Sequence, residues 1–273
     1  SRRCWWGLFI DTCGMSESQQ KSGWSKLPIA MLHHVSDRKD WDSLRPFVIT
    51  KATFIRFLDA IEQGNFQPIT FQQLQESSRE TKTKEIIIGF DDCGRHLLDF
   101  AVPELIRRGM KATFYMPTAH IGGQNDWDVE EGRSAVDLMN RDELLELHQH
   151  GMEIGGHSHH HIHLGRVDST ALRDEVTTCQ TILTEIIGQP ATSFAFPFGS
   201  LPLECVEEAA EIFRASHFHD ACGIFCPSEN RLQRRRFIVH DGDSSLTMRL
   251  KLSRIYATYR SIGDPRKPLS AFL

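Results

Sequence analysis

Residues 85–92 read Glu85-Ile86-Ile87-Ile88-Gly89-Phe90-Asp91-Asp92, an apolar run with the length and β-branching of a buried strand, closed by two adjacent carboxylates. Runs of this kind recur and alternate with helical patterns, which implies a parallel sheet or barrel. Residues 27–32 form a first strand ending at His33-His34. Thr50 caps a helix with Phe54, Phe57, Leu58 and Ile61 on one face and Gly64 as its stop. A short strand at 66–69 and a short helix capped by Thr70 come before the aspartate strand. The pattern then predicts a helix from about His96 to Arg108 and a strand at 112–116. Asn140-x-x-Glu143 opens a helix ending at Gly151, and 152–154 reads as a strand. Asp168 opens the longest helix, with Leu172, Val176, Leu183 and Ile186 on one face. A strand at 192–196, a helix from about Pro202 to Phe213, weaker strands near Ser216 and Phe237, and a helix from Ser244 or Ser245 to about Tyr259 complete the series.

The 273 residues suit one domain of the α/β-barrel size class. Residues 1–26 read as an N-terminal arm, poorly ordered or strapped on the barrel, and 27–273 as the domain. A net charge of −5 without a long basic block argues against nucleic acid as a partner, and no apolar run is long enough to span a membrane. Seven irregularly spaced cysteines and no convincing signal peptide fit a reducing, cytoplasmic setting. Cys222 and Cys226 offer only a weak Cys-x-x-x-Cys signal for pairing or metal binding.

The chemistry concentrates at strand ends. After the strand at 152–154 comes Gly155-Gly156-His157-Ser158-His159-His160-His161-Ile162-His163, with five histidines in seven residues. Imidazole is the commonest protein ligand for zinc-like metals, and histidines four apart on a helical turn, His157 and His161, share one face. Of two neighbouring aspartates on an extended chain, one can ligate while the other faces a substrate. Active sites of α/β barrels lie at the carboxyl ends of the strands, where Asp91-Asp92, His157, Pro197-Phe198 and His34 all fall. A metal held by one of the aspartates with His157 and His161 lowers the pKa of bound water from ~15.7 towards ~7 and polarises a carbonyl, with the other aspartate placed to take the proton.

Phe90-Asp91-Asp92, His157-Ser158-x-x-His161 and Phe196-Pro197-Phe198-Gly199, in that order, resemble the motifs of the polysaccharide deacetylase (NodB-homology) family over roughly residues 28–258. The resemblance implies a distorted (β/α)7 TIM-like barrel and metal-dependent removal of N-acetyl groups from a GlcNAc-type polymer or oligosaccharide. It implies Asp91 as base, Asp92 with His157 and His161 as ligands, and the backbone N–H of Phe198, after Pro197, as oxyanion donor. One divalent metal is expected, zinc first, with cobalt, nickel or manganese as other fits. The family's acid is a histidine in a Leu-x-His motif. His34 and His240 are the candidates, and similarity to the circularly permuted poly-N-acetylglucosamine deacetylase branch favours His34. Ala195-Phe196 stands where the family usually carries the arginine that orients its base, and Cys93 where it usually carries glycine. His159 and His160 are read as solvent-facing, and His163 as a partner of the ligands. Trp127 is either a sugar-stacking ring or a loop anchor. The other readings are a metal amidohydrolase on a small non-carbohydrate amide and a non-catalytic carbohydrate-binding relative.

Overall fold

The computed structural model describes residues 27–76, 84–202, 206–224, 226, 230–253 and 256. Its centre is a parallel sheet nearly closed into a barrel, with helices outside. The barrel strands are β1 (Ile29–Leu32), β5 (Lys84–Asp91), β6 (Thr113–Met116), β7 (Glu153–Gly156), β8 (Ser193–Ala195) and β9 (Asp220–Gly223), with a closing segment of two short pieces, β10 (Arg234–Arg235) and β11 (Phe237–Ile238). β2 (His34–Val35) and β3 (Val48–Ile49) pair apart from the sheet, and β4 (Phe66–Pro68) pairs with the start of β5. β10 bonds to β9 and β11 bonds to β1, so the segment from Arg234 to Ile238 reaches both edges and closes the ring. This agrees with a seven-stranded α/β barrel.

The interior follows from strand parity. Ile86, Ile88 and Phe90 face the helices in the main core, whereas Ile87 shares the barrel interior with Tyr115, Ala195 and Cys222. The helices are α1 (Lys51–Gln63), α2 (Phe71–Glu76), α3 (Ala101–Arg107), α4 (Asp126–Glu130), α5 (Arg141–Gln149), α6 (Ser169–Ile187), α7 (Val206–Ala215) and α8 (Ser245–Lys251). Several start where the sequence marks them: Thr50 and Asp168 accept from Thr53 and Ala171 N–H, and Asn140 with Glu143 forms a full capping box.

Some boundaries differ from expectation. The helix expected from His96 is a 3-10 turn, Arg95–Asp99, a break at Phe100 and then α3. Pro103 explains the break: in a continuous helix it would sit in the interior, lacking an N–H and clashing with the preceding turn, while in the first turn it is tolerated. The strand expected near Ser216 begins instead at Asp220, after a turn in which His217 has φ 64. The expected arm at 1–26 lies outside the described residues, as does most of the last expected helix beyond α8. No helix among the described residues is long and apolar enough to cross a membrane.

Candidate active site

Along β5, parity turns Ile87, Gly89 and Asp91 inward, so Asp91 emerges at the carboxyl mouth, where it pairs in register with Tyr115. Along β7 the same parity carries Glu153, Gly155 and then His157 inward. The glycines before His157 are steric necessities: a Cβ on Gly155 would stand 2.7 Å from the Tyr115 ring, and one on Gly156 2.7 Å from the Phe194 ring.

The sequence expectation for the two aspartates needs correcting in its geometry. Asp91 ends the strand, but Asp92 and Cys93 are in the left-handed region, at φ 69 and 52. A left-handed turn, not extended alternation, separates the carboxylates. Nor do His157 and His161 share a helical turn. Ser158 and His161 are also left-handed, at φ 61 and 56, and the tract curls so that both rings return to one point. Non-glycine residues in this region cost energy and cluster at functional sites.

At that point Asp92 Oδ1 lies 3.4 Å from His157 Nε2 and 3.3 Å from His161 Nε2, all three side chains being buried. Among the described residues this is the one group of three or more His, Cys, Asp or Glu side chains that could hold an ion. His157 Nδ1–H donates to the Ala195 carbonyl at 2.7 Å, which leaves Nε2 facing Asp92. Asp92 Oδ1 is buried without a hydrogen-bond partner among the described residues. A bare carboxylate oxygen is costly there unless a cation joins it. Donor atoms 2.0–2.1 Å from one tetrahedral centre stand about 3.3 Å apart, so the spacing and the donor set fit a zinc-like ion. Burial pushes Asp92 up, but His157 and His161 outweigh it and hold the carboxyl well below the usual range. Burial pulls His157 down, yet Asp91 and Asp92 raise it, whereas burial wins at His161 and lowers it.

The residue that sequence reasoning missed is Arg236. It sits where β10 meets β11 and clamps Asp91 with two bonds, Nη1 to Oδ1 at 2.5 Å and Nη2 to Oδ2 at 2.7 Å, both side chains being buried. It supplies from the closing strand what Ala195-Phe196 lacks. Burial pushes the Asp91 carboxyl up, and Arg236, with help from His157, brings it below its ordinary value. A signal was present in Arg234-Arg235-Arg236. Residues two apart share a face, and Arg234 and Arg236 both turn to buried aspartates, Asp220 and Asp91.

His34 is buried between Trp41 and His96, with ring centroids 5.5 and 5.1 Å away. Burial and His33 pull its pKa down to about 4, so it is neutral near pH 7. Its neighbour His33 faces Asp91 instead, with Nε2 3.9 Å from Oδ2 and a side chain 15% exposed. His240 is exposed, its backbone N–H donates to Asp243, and no contact among the described residues joins it to Asp91.

Pro197 and Phe198 form a 3-10 turn after β8, with Phe198 left-handed at φ 55 and exposed at the mouth. The Phe198 ring lies edge-on to His161 at 4.7 Å and stacks on His163 at 4.1 Å, so Phe198 stands between His163 and the candidate ligand His161. Trp127 stacks on the His161 ring, with centroids 3.9 Å apart and planes 24° apart. One face of that indole is thus taken by a candidate ligand rather than left for a sugar. His160 is exposed but His159 only partly so, bonded through Nδ1 to Thr118 Oγ1 at 2.9 Å. Cys93 is buried and its thiol is pushed well up by burial and the two aspartates, which disfavours a reactive thiolate. Cys222 and Cys226 are both free and buried, and among the described residues they form neither a disulfide nor a metal group.

The polysaccharide deacetylase family model matches residues 78–212. The chain is 24% identical over 188 residues to YxkH of Bacillus subtilis (strain 168), a match covering 68% of this chain but only 61% of YxkH. The fold is similar to that of BC0361, a polysaccharide deacetylase from Bacillus cereus, with TM-score 0.67, 18% identity, and 84% and 69% of the two chains covered. It is also similar to that of the Streptococcus pyogenes deacetylase PplD, with TM-score 0.67, 17% identity, and 84% and 98% covered. Sequence match and fold agree: residues 78–212 match the polysaccharide deacetylase family, and they lie in a barrel similar to those of solved polysaccharide deacetylases.

Proposed function

We propose that the protein is a metal-dependent hydrolase that removes N-acetyl groups from a GlcNAc-type sugar polymer or oligosaccharide. The observation that carries this reading is the convergence of Asp92, His157 and His161 beside an Asp91 held rigidly by Arg236. Asp92, His157 and His161 would hold the ion, zinc first. When bound, such an ion supplies an activated water and polarises the amide carbonyl.

The remaining work belongs to the side chains. Asp91, kept ionised by Arg236, takes the proton of the attacking water. The two-pronged clamp fixes the carboxylate plane, so the base does not have to reorient as the proton moves. The backbone N–H of Phe198 faces the charge that develops on the carbonyl oxygen. His33, partly open to the mouth and next to Asp91, gives its proton to the leaving nitrogen. His34 is sealed off and neutral, and supports the wall behind it. The substrate class comes from the family, whose fold this barrel shares.

The test is metal analysis of purified protein, together with acetate release from chitooligosaccharides before and after chelation. About one divalent ion per chain is expected, with release lost on chelation and restored by zinc. Undiminished release from metal-free protein would sink the proposal.

A further inference from the structure

The histidine tract has a partner that the proposed chemistry does not use. Glu175 lies on α6, and its side chain is only 9% exposed. Its Oε2 accepts from the backbone N–H groups of His159 and His160, each at 2.9 Å. Its Oε1 accepts from His160 Nδ1–H at 2.6 Å. One carboxylate thus receives three donors from the crest of the tract, between the candidate ligands His157 and His161.

The crest needs such a hold. Ser158 and His161 are both left-handed without being glycine, a conformation that persists only where the surroundings over-determine it. One side is fixed by Thr118 and Ala119, whose N–H groups donate to the carbonyls of Ser158 and His159 at 3.2 and 2.8 Å. Within the tract, His161 N–H donates to Ser158 Oγ at 3.0 Å. Among the described residues, Glu175 is the group that engages the N–H groups of His159 and His160. An ionised carboxylate only accepts, and has two oxygens, so it suits three converging donors. Cys179 lies one turn along the same helix and is buried, so that face of α6 forms the floor under the tract.

We propose that Glu175 is a positioning residue: it holds the crest so that His157 and His161 meet Asp92 at ligand spacing. His160 is its anchor and not a ligand. The inference rests on reading the Asp92, His157 and His161 trio as a metal site.

The test uses the full chain and the zinc Kd measured against a competing chelator, with Tm recorded alongside. Glu175→Ala is expected to raise the zinc Kd about 10–100-fold, the usual effect of removing a group that orients metal ligands. Glu175→Gln recovers most of this, because its carbonyl oxygen still accepts both backbone N–H groups. His160→Ala, which deletes one of the three bonds, gives a smaller rise. A Glu175→Ala protein with lower Tm but unchanged Kd overturns the inference, since a purely structural carboxylate behaves that way. If Glu175→Ala does not fold, His160→Ala decides: a Kd within twofold of wild type overturns the anchor and the inference with it. Wild-type protein that holds no zinc overturns the metal reading as a whole. Wild-type zinc binding matched by Glu175→Ala overturns this inference alone.

Discussion

At the scale of single residues, the two aspartates should separate by phenotype. Asp91→Asn is expected to keep the metal and lose about 10²–10⁴ in kcat, the worth of a positioned base, while Asp92→Asn loosens the metal. Metal titration with steady-state kinetics on both variants checks this, and exchanged phenotypes would mean the roles are reversed. His33→Ala should lose a similar factor with metal content intact, and His34→Ala should instead lower stability, read by thermal melting and acetate release. Arg236 stabilises the charged form of Asp91, so its loss lets burial raise the carboxyl. The acidic limb of kcat/KM should therefore move to higher pH in Arg236→Gln. In Arg236→Lys it should stay near wild type while kcat falls, because the charge remains but the fork is lost. The motif residues were legible because each ends a strand that the apolar pattern reveals. Arg236 was not, because its bond to Asp91 spans 145 positions and exists only when the ring closes. The difference in exposure between His33 and His34 was equally invisible: neighbours on one strand end differ only once Trp41 and His96 pack against one of them.

At the scale of elements, the capped helices and β-branched strands could be read from local chemistry, since Thr50, Asn140 and Asp168 each accept an N–H that would otherwise be orphaned. The curl of the histidine tract could not. Five histidines suggest metal, but nothing local says that Ser158 and His161 turn left-handed, which depends on supports from the turn after β6 and from α6. Trp127 was readable as a sugar-stacking ring or a loop anchor, but not its target. Short α4 presents it to His161. Aromatic stacking is worth about 0.5–1.5 kcal/mol. Trp127→Leu is accordingly expected to weaken zinc binding several-fold, measured by chelator competition. A change in substrate KM with zinc affinity untouched would assign the ring to the sugar instead.

At the scale of the whole molecule, the end of the barrel opposite the mouth is held by a second buried acid. Glu153 accepts from the Thr113, Thr192 and Ser193 hydroxyls at 2.7–3.1 Å and from the N–H groups of Phe71 and Gln72, tying β6, β7, β8 and α2 together. Glu153→Leu strands several buried donors at about 1–3 kcal/mol each and should cost at least about 3 kcal/mol in urea unfolding. Burial raises the Glu153 carboxyl above its ordinary value, although the Ser193, Thr192 and backbone donors hold it back. The folded state thus binds this proton more tightly than the unfolded chain. Its contribution is complete below the unfolded pKa and fades as pH rises through the folded one. Glu153→Gln should flatten that part of the stability–pH curve. The closing strand has a different consequence, one of timing. A chain leaves the ribosome amino end first, at about 5–20 residues per second, and Asp92, His157 and His161 all emerge before Arg236. The candidate ligands are therefore exposed on the order of seconds before the arginine that clamps Asp91. On the proposed reading, a newborn chain carries all three candidate ligands before it has the clamp on Asp91, so ion capture can come before activity in the life of each molecule.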